Sequence, residues 1–511
     1  MSDTSFVPQP FLDWYDIWAG QASVNDRGET RLKDPPTGVT LSVQPARRSE
    51  IFFRSEKPWE QVRMVYPCII LDEGRYRMWF WTWGEGENRA RYNGYAESPD
   101  GFSWDRPELG LASYEGSTSN NLLSRHDEFE INSVFPDPTA VPEERFKAIG
   151  TKTLFFRDGQ PDPRMDWNRF NELRTQTGHH EDPTVNAMHL VAGQFGVTRE
   201  NAVMGAVSAD GLRWRVLEEP LVIVGNSVLD TQNVAAYEPE SREYVAYLRG
   251  MFHNEGKFGY GGRRAVRKVS GAEFGNWGPP HYVLVADPQD HVSDDIYTSC
   301  YCHYPGVPGL HLMFPSIYHR LDSEQDVQLA VSRDGCHWVR PERKPIITLE
   351  SDDGCYGRIR SGPNLVALND EEWGLPYDCR YSRHDHGPAQ LPEGEFRWAI
   401  WKRDRLVALE APVEGRVTTT ARICSGRELR LNFQTKRAGW VRAEIVTPPT
   451  EPNKTILGLN GFTMNDCDPL AGDELEKAVT WKGRGDLSSL KGKHVAIRLH
   501  MARAKVFSTT I

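Results

Sequence analysis

The pattern S-x-D-G-x-x-W occurs three times in the chain, at Ser98–Trp104, Ser208–Trp214 and Ser332–Trp338, and a decayed copy runs from Ser270 to Trp277. The steps from 208 to 270 and from 270 to 332 are both 62 residues, while the step from 98 to 208 is 110, which leaves an insertion of about 48 residues in that unit. Asp-Gly supplies the positive-φ positions of a tight hairpin turn, and the Ser and Asp side chains can bond the amides inside it. The Trp then begins the next strand, where it can pack between neighbouring sheets. Chance Asp-Gly hairpins would explain neither the equal spacing nor the recurring Trp.

Each repeat carries an apolar strand, a turn, a Tyr-rich strand and a strand running into the D-G-x-x-W turn. In the first repeat these are Tyr66–Leu71, Tyr76–Trp83 and Arg91–Glu97, and in the second Asn132–Phe135, Arg145–Lys152 and Asn201–Val207. The third has Asn233–Tyr237, Tyr244–Arg249 and Arg263–Val269, and the fourth Tyr297–His303, Leu310–Tyr318 and Val327–Val331. A less regular fifth follows at Arg358–Leu368, Trp373–Arg380 and Phe396–Trp401. Helical periodicity is confined to the stretch from Asp166 to Thr175. After Ala411 the pattern changes to alternating strands (Leu429–Gln434, Trp440–Val446, Val495–Met501) without the repeat motif. The predicted fold is therefore all-β. It comprises a five-bladed β-propeller over residues 1–410, with an insertion at about 155–200 and the N-terminal segment completing one blade, followed by a β-sandwich over 411–511.

The net charge of −11 argues against a nucleic-acid surface, and the basic run Arg263, Arg264, Arg267, Lys268 reads as an exposed strand face. No apolar run approaches the roughly 18 residues that span a bilayer, so no membrane association is expected. The N-terminus lacks a basic region followed by an apolar one, so the expected location is cytoplasmic. The 8 cysteines include no C-x-x-C pair, which suits reduced, structural thiols. Gly259-Tyr-Gly-Gly262 is not followed by Lys-Ser/Thr, and no G-x-S-x-G elbow occurs, which excludes P-loop and α/β-hydrolase chemistry.

Propeller turns of this kind, a C-terminal β-rich region, and the phrases Asp230-Thr-Gln-Asn-Val234, Glu144-Arg-Phe-Lys-Ala148 and Asn465-Asp-Cys-Asp-Pro469 with Gly472-Asp473 carry a resemblance. The chain resembles the furanosidase-type superfamily of glycoside hydrolases. It looks most like the family 32 N-terminal-domain-like proteins, with families 43 and 68 as relatives. The W-x-N-D-P-N-G segment of family 32, an R-D-P and an E-C pair are absent. The resemblance implies hydrolysis of a small glycoside or oligosaccharide, a furanoside among the candidates, by acids at the starts of the inner strands of the first three blades. A carbohydrate-binding propeller without catalysis, and a phosphorylase or lyase on the same scaffold, are the alternatives.

Glycoside cleavage needs one carboxyl to protonate the leaving oxygen and another to act as base or nucleophile. The positions the resemblance implies are Glu60, Glu130 and Asp230, with Asp13, Asp294, Asp295 and Asp353 in reserve. Glu60 also reads as a loop acid beside a packing Trp. Glu130 also reads as part of a solvated acidic loop with Asp127 and Glu128. Asp230, in an apolar and amide-rich stretch, is expected to be partly buried. Asn132, Asn233, Arg249 and Arg360 are the candidates for binding hydroxyls and holding the acids, and either arginine could instead be an inter-blade pair. Trp59, Trp18 and Trp83 could stack on sugar rings, although most propeller tryptophans pack.

The insertion, with Arg164, Trp167, Arg169 and the run His179-His180-Glu181-Asp182, reads as a lid or a homo-oligomer contact. Adjacent histidines point in different directions, so that run alone makes a weak metal site. The expected partner is a small carbohydrate. No cofactor is expected, and the resemblance leaves open a structural calcium ion in the channel or in the C-terminal acidic loop. The C-terminal acids Asp466, Asp468 and Asp473 are expected to serve hydrogen-bonded turns and no catalytic role.

Overall fold

The computed structural model describes residues 7–84, 91–176, 192–225, 229–252, 263–350, 357–384, 394–448 and 456–511. Among them the chain is all-β with very few helices, and the helix Trp167–Gln176 sits in the expected insertion. No helix among the described residues is long and apolar enough to cross a membrane.

The first repeat forms a four-stranded antiparallel sheet of Arg63–Asp72, Arg75–Trp83, Arg91–Ser98 and Leu122–Arg125. The second is built on Glu130–Pro136, Phe146–Arg157 and Thr198–Ser208, with short strands added at its edges. The third contains Val234–Glu238, Glu243–Phe252, Arg263–Gly271 and His281–Leu284. Their aromatic and β-branched strands are buried on both faces because each sheet is covered by its neighbours. Trp79, Phe146 and Met204, for example, share one core with Cys68 and Ile131.

Beyond Asp294 the arrangement departs from five separate blades, and the ring shows four blade sheets. Cys300, at a φ of 46°, divides the inner strand of the fourth repeat into Asp294–Ile296 and Tyr301–His303. The first piece joins an eight-stranded sheet that continues into the fifth repeat through the parallel pairing of Gln325 with Arg358. The second piece stays in a three-stranded sheet with His311–Met313 and Ala330–Ser332.

The inner strands make the closed contacts of a propeller. Arg63–Asp72 packs on Glu130–Pro136, which packs on Val234–Glu238, which packs on Tyr301–His303, while Arg358–Ser361 returns to Arg63–Asp72. The repeat motif fastens these units together. In each intact turn the Ser hydroxyl accepts the glycine N–H, at 2.8 Å in Gly101, 2.9 Å in Gly211 and 3.0 Å in Gly335. The Asp carboxylate accepts the next two amides, and the glycines have φ of 80°, 72° and 66°. The glycine carbonyl, turned outward by that conformation, accepts a hydrogen bond from an aromatic side chain of the preceding unit. Trp398 Nε1 reaches Gly101 at 2.8 Å, Trp79 Nε1 reaches Gly211 at 2.8 Å and the Tyr247 hydroxyl reaches Gly335 at 3.0 Å. The first of these latches ties the last repeat to the first.

The N-terminal segment takes part in both regions. Arg47–Arg48 adds to the edge of Glu395–Lys402, as expected of a segment completing a blade, whereas Gln9–Pro10 and Thr40–Val43 pair with His494–Thr510 and Val407–Thr418. The C-terminal strands form one seven-stranded antiparallel sheet. Its 17-residue strands Arg430–Val446 and His494–Thr510 shift register between Thr435 and Trp440, and Phe11, Leu431, Val441, Ile445, Ile497 and Val506 share its core.

Two expectations need correction. The basic run is not an exposed face: Arg267 and Lys268 are buried, and Arg264 pairs with Asp295 at 2.8 Å, because the next sheet packs over this third strand. Nor are all thiols reduced, since Cys379 is disulfide-bonded while Cys68, Cys300, Cys302, Cys336, Cys424 and Cys467 are free. The absence of a C-x-x-C pair therefore does not exclude a disulfide.

Candidate active site

The first strands of the three separate sheets all start at the same end of the ring, which brings Glu130, Asn132 and Asn233 together although about 100 residues separate the two sheets in sequence. Asn132 sits in a bulge between Ile131 and Ser133, which turns its amide into the channel. Its Nδ2 donates to Glu130 Oε1 at 3.3 Å, and its Oδ1 accepts Asn233 Nδ2 at 2.7 Å. Asn233 Oδ1 in turn accepts the backbone N–H of Arg249 at 3.0 Å, and the Arg249 guanidinium is ion-paired with Asp230. A continuous polar chain thus runs from Glu130 through two amides and an arginine to Asp230. Asn132 touches Glu130 directly, whereas Asn233 reaches Asp230 only through Arg249.

The two carboxyls occupy unlike environments. Glu130 is 17% exposed and accepts a hydrogen bond from the Thr151 hydroxyl at 3.1 Å. Burial pushes its carboxyl up to about 7, against the lowering effects of Arg91, Thr151 and Asn132, and the charge of Asp230 adds to the rise. Asp230 is not the partly buried group expected, because its side chain is 69% exposed. Its amide-rich neighbours turn inward instead: Gln232 Nε2 reaches the carbonyls of Tyr66 and Asn132, and the Thr231 hydroxyl meets that of Tyr66 at 3.2 Å. Asp230 therefore faces the mouth paired with the buried Arg249, and the buried Arg199 also feels its charge.

Several residues at this mouth were not singled out from the sequence. His126 Nδ1 lies 3.6 Å from Glu130 Oε2, and its ring packs edge-on against Trp81 and Trp83. Burial brings its pKa down to about 3, so it stands as a neutral wall. The signal was the run Arg125-His-Asp-Glu-Phe-Glu130, where a tight turn folds His126 back over Glu130. Tyr66 carries a φ of 58° at a bulge in the Arg63–Asp72 strand, rare for a bulky residue. Its hydroxyl accepts Arg360 Nη1 at 2.9 Å, and burial lifts its pKa to about 12. Arg360 also pairs with Asp378 at 3.1 Å, so this arginine serves an inter-strand network on the channel axis. Gly362 beside it must lack a side chain, since a Cβ would meet the Pro67 carbonyl oxygen at 1.8 Å.

The remaining candidates fall elsewhere. Glu60 is fully buried in the short turn Pro58–Glu60, where it accepts the amides of Glu56 and Lys57 and pairs with Arg106 at 2.9 Å. None of these partners is shared with Glu130 or Asp230. Trp59 donates its indole N–H to Asn121 at 2.8 Å and packs on Tyr114. Among the reserves, Asp13 pairs with Arg333, Asp294 with His319, and Asp295 with Arg264 and Arg320. Asp353 and the run His179–Asp182 lie outside the described residues. The C-terminal acids lie away from that mouth: Asp466 pairs with Lys482, Asp468 accepts Thr480 Oγ1 at 2.6 Å, and Asp473 reaches the end of the propeller, pairing with Arg405 at 2.6 Å and Lys402 at 3.4 Å.

No family model matches the chain, and no curated protein does. Solved structures do resemble it. An α-L-arabinofuranosidase from Podospora anserina in complex with cellotriose is 10% identical at a TM-score of 0.41, over 70% of this chain and 97% of its own. A mutant of a Bombyx mori GH32 β-fructofuranosidase in complex with sucrose is 10% identical at 0.37, over 88% of this chain and 91% of its own. An N-acetylgalactosamine deacetylase from F. plautii in complex with blood group B trisaccharide is 13% identical at 0.40, over 72% and 97%.

Proposed function

We propose that the protein is a glycoside hydrolase that cleaves a small glycoside or oligosaccharide at the mouth bearing Glu130 and Asp230, with furanosides the first class to test. The observation that carries this reading is the pairing of a carboxyl raised to about 7 with an exposed, arginine-supported carboxylate, joined by one polar chain. At neutral pH Glu130 is protonated in about half of the molecules, so it can donate to the departing glycosidic oxygen. Asp230 faces solvent and can activate water or attack the anomeric carbon. Asn132, Asn233 and Arg249 are positioning residues that fix the two acids relative to each other. Glu60 and Trp59 are assigned to packing.

The same reading counts the eight-stranded sheet with its three-stranded companion as two blades, five in all, and takes the halves of the long C-terminal strands on either side of their register shift as the layers of a sandwich.

Activity against a panel of aryl glycosides and natural oligosaccharides tests the proposal. Turnover that disappears in Glu130→Gln and in Asp230→Asn supports it, and full activity in both variants refutes it. One observation favours a second reading. Arg360 and Arg380 both pair with Asp378, and Arg63 and Arg358 are close enough to act on Arg380, an arrangement suited to an anion. A phosphorylase would require inorganic phosphate in the same assay, and a hydrolase would not.

A further inference from the structure

The far end of the channel holds a second cluster of functional groups. Glu238 ends the strand that follows Asn233, about 16 Å further along at roughly 3.3 Å per residue. In the neighbouring unit, His303 and His311 are direct partners across the antiparallel pair Tyr301–His303 and His311–Met313, so both rings lie on the same face. Glu238 Oε1 is 2.9 Å from His303 Nε2 and 3.4 Å from His311 Nδ1, and the three ligand atoms all lie within 4.8 Å of one another.

We propose that Glu238, His303 and His311 bind a divalent transition metal, with zinc the ion that best fits these donors. Two imidazoles and one carboxylate form a donor set that holds zinc with a coordination position left open. Bonds of about 2.0–2.1 Å in a tetrahedron place ligand atoms about 3.3 Å apart, so a small adjustment of the spacings above admits the ion. The hydroxyl of Tyr301 donates to Glu238, the kind of outer contact that orients a ligating carboxylate. Glu238, His311 and Tyr301 are buried, whereas the His303 side chain is 38% exposed. The open side faces a cavity of about 380 Å³ lined by Ile70, Phe135, Tyr237, Tyr301, His303 and Val366. A metal there would be reached from the end of the ring opposite to Glu130 and Asp230, so the proposal is independent of the glycosidase reading.

The test is equilibrium dialysis of the full chain against zinc chloride after treatment with a chelator. We expect one zinc per chain bound at micromolar concentration or tighter, a melting temperature that rises with zinc, and affinity at least tenfold weaker in His303→Ala and His311→Ala. His303 is half-exposed, so His303→Ala keeps the test valid if the buried variants fail to fold. Cobalt substitution should give a tetrahedral spectrum without a thiolate band, which distinguishes this site from Cys336 and His281, whose Sγ and Nε2 are 4.0 Å apart. Glu130→Gln should bind zinc as the wild type does. Absence of zinc binding by the wild type, or equal binding by His303→Ala, overturns the proposal and leaves the cluster as a hydrogen-bonded ion network.

Discussion

The carboxylates of the C-terminal sheet and those at the propeller mouth resemble each other as a sequence but are treated in opposite ways by the fold. Lys482 and Thr463 hold Asp466 below the usual carboxylate range, and Thr480 with the amide of Gly483 does the same for Asp468. Glu444 is penalised by burial, yet His500 and Arg498 bring it down. Glu130 also has donors, Thr151 and Asn132, but its one cation, Arg91, is exposed and does not offset burial, so its carboxyl rises to about 7. An acid that is merely hydrogen-bonded is therefore uninformative. The informative case is a buried acid whose cation is exposed, beside an exposed acid whose cation is buried.

This contrast can be broken most directly by activity. Glu130→Gln and Asp230→Asn should each lower kcat by roughly 10²- to 10⁴-fold, the contribution expected of one proton-transfer group. Asp468→Asn should leave kcat unchanged, and a comparable loss there would abolish the distinction. The wild-type kcat/KM should also fall as pH rises through about 7, because Glu130 must carry a proton to act.

Stability should follow the same shift. With a folded value near 7 against 4.5 unfolded, the contribution from protonated Glu130 is complete below pH 4.5 and lost as pH rises through 7. The span is on the order of 3 kcal/mol. Urea unfolding should thus show Glu130→Gln gaining on the wild type between these pH values, with a plateau above them. A constant difference across pH would place Glu130 in water. Smaller still is the effect of Trp59→Phe, about 1 kcal/mol for the lost hydrogen bond to Asn121, with KM unaffected. A raised KM would restore Trp59 to the sugar site. Least of all, Asp468→Asn should lower the melting temperature slightly through the loss of Thr480 and Gly483 as partners.

The repeat motif made the propeller legible, because the turn it encodes is held by its own residues. The Ser and Asp bind amides, the Gly turns left-handed, and the Trp packs. The meeting of Glu130, Asn132 and Asn233 was legible because inner strands in register start at one end. The surroundings of Glu60 were not legible, because Arg106, which holds it in a buried ion pair, is 46 residues away. His126 and Tyr66 depended on a tight turn and a bulge, neither of which leaves a periodic trace. Neither the parallel pairing of Gln325 with Arg358, which joins the fourth and fifth repeats, nor the positive φ of Cys300 leaves a trace in the repeat pattern.

The way the chain's two ends are stitched together bears on the order of assembly. Arg47–Arg48 waits for Glu395–Lys402, Gln9–Pro10 waits for His494–Thr510, and the turn at Gly101 waits for Trp398. During synthesis, the sheets of the first three repeats can form as they emerge, but neither the ring nor the C-terminal sheet can be sealed until its distant partner has left the ribosome. Pairings across several hundred residues close slowly. The early strand edges must meanwhile stay unpaired in the company of other nascent chains, so the yield of folded protein should depend on how quickly the segment from Glu395 to Thr510 follows.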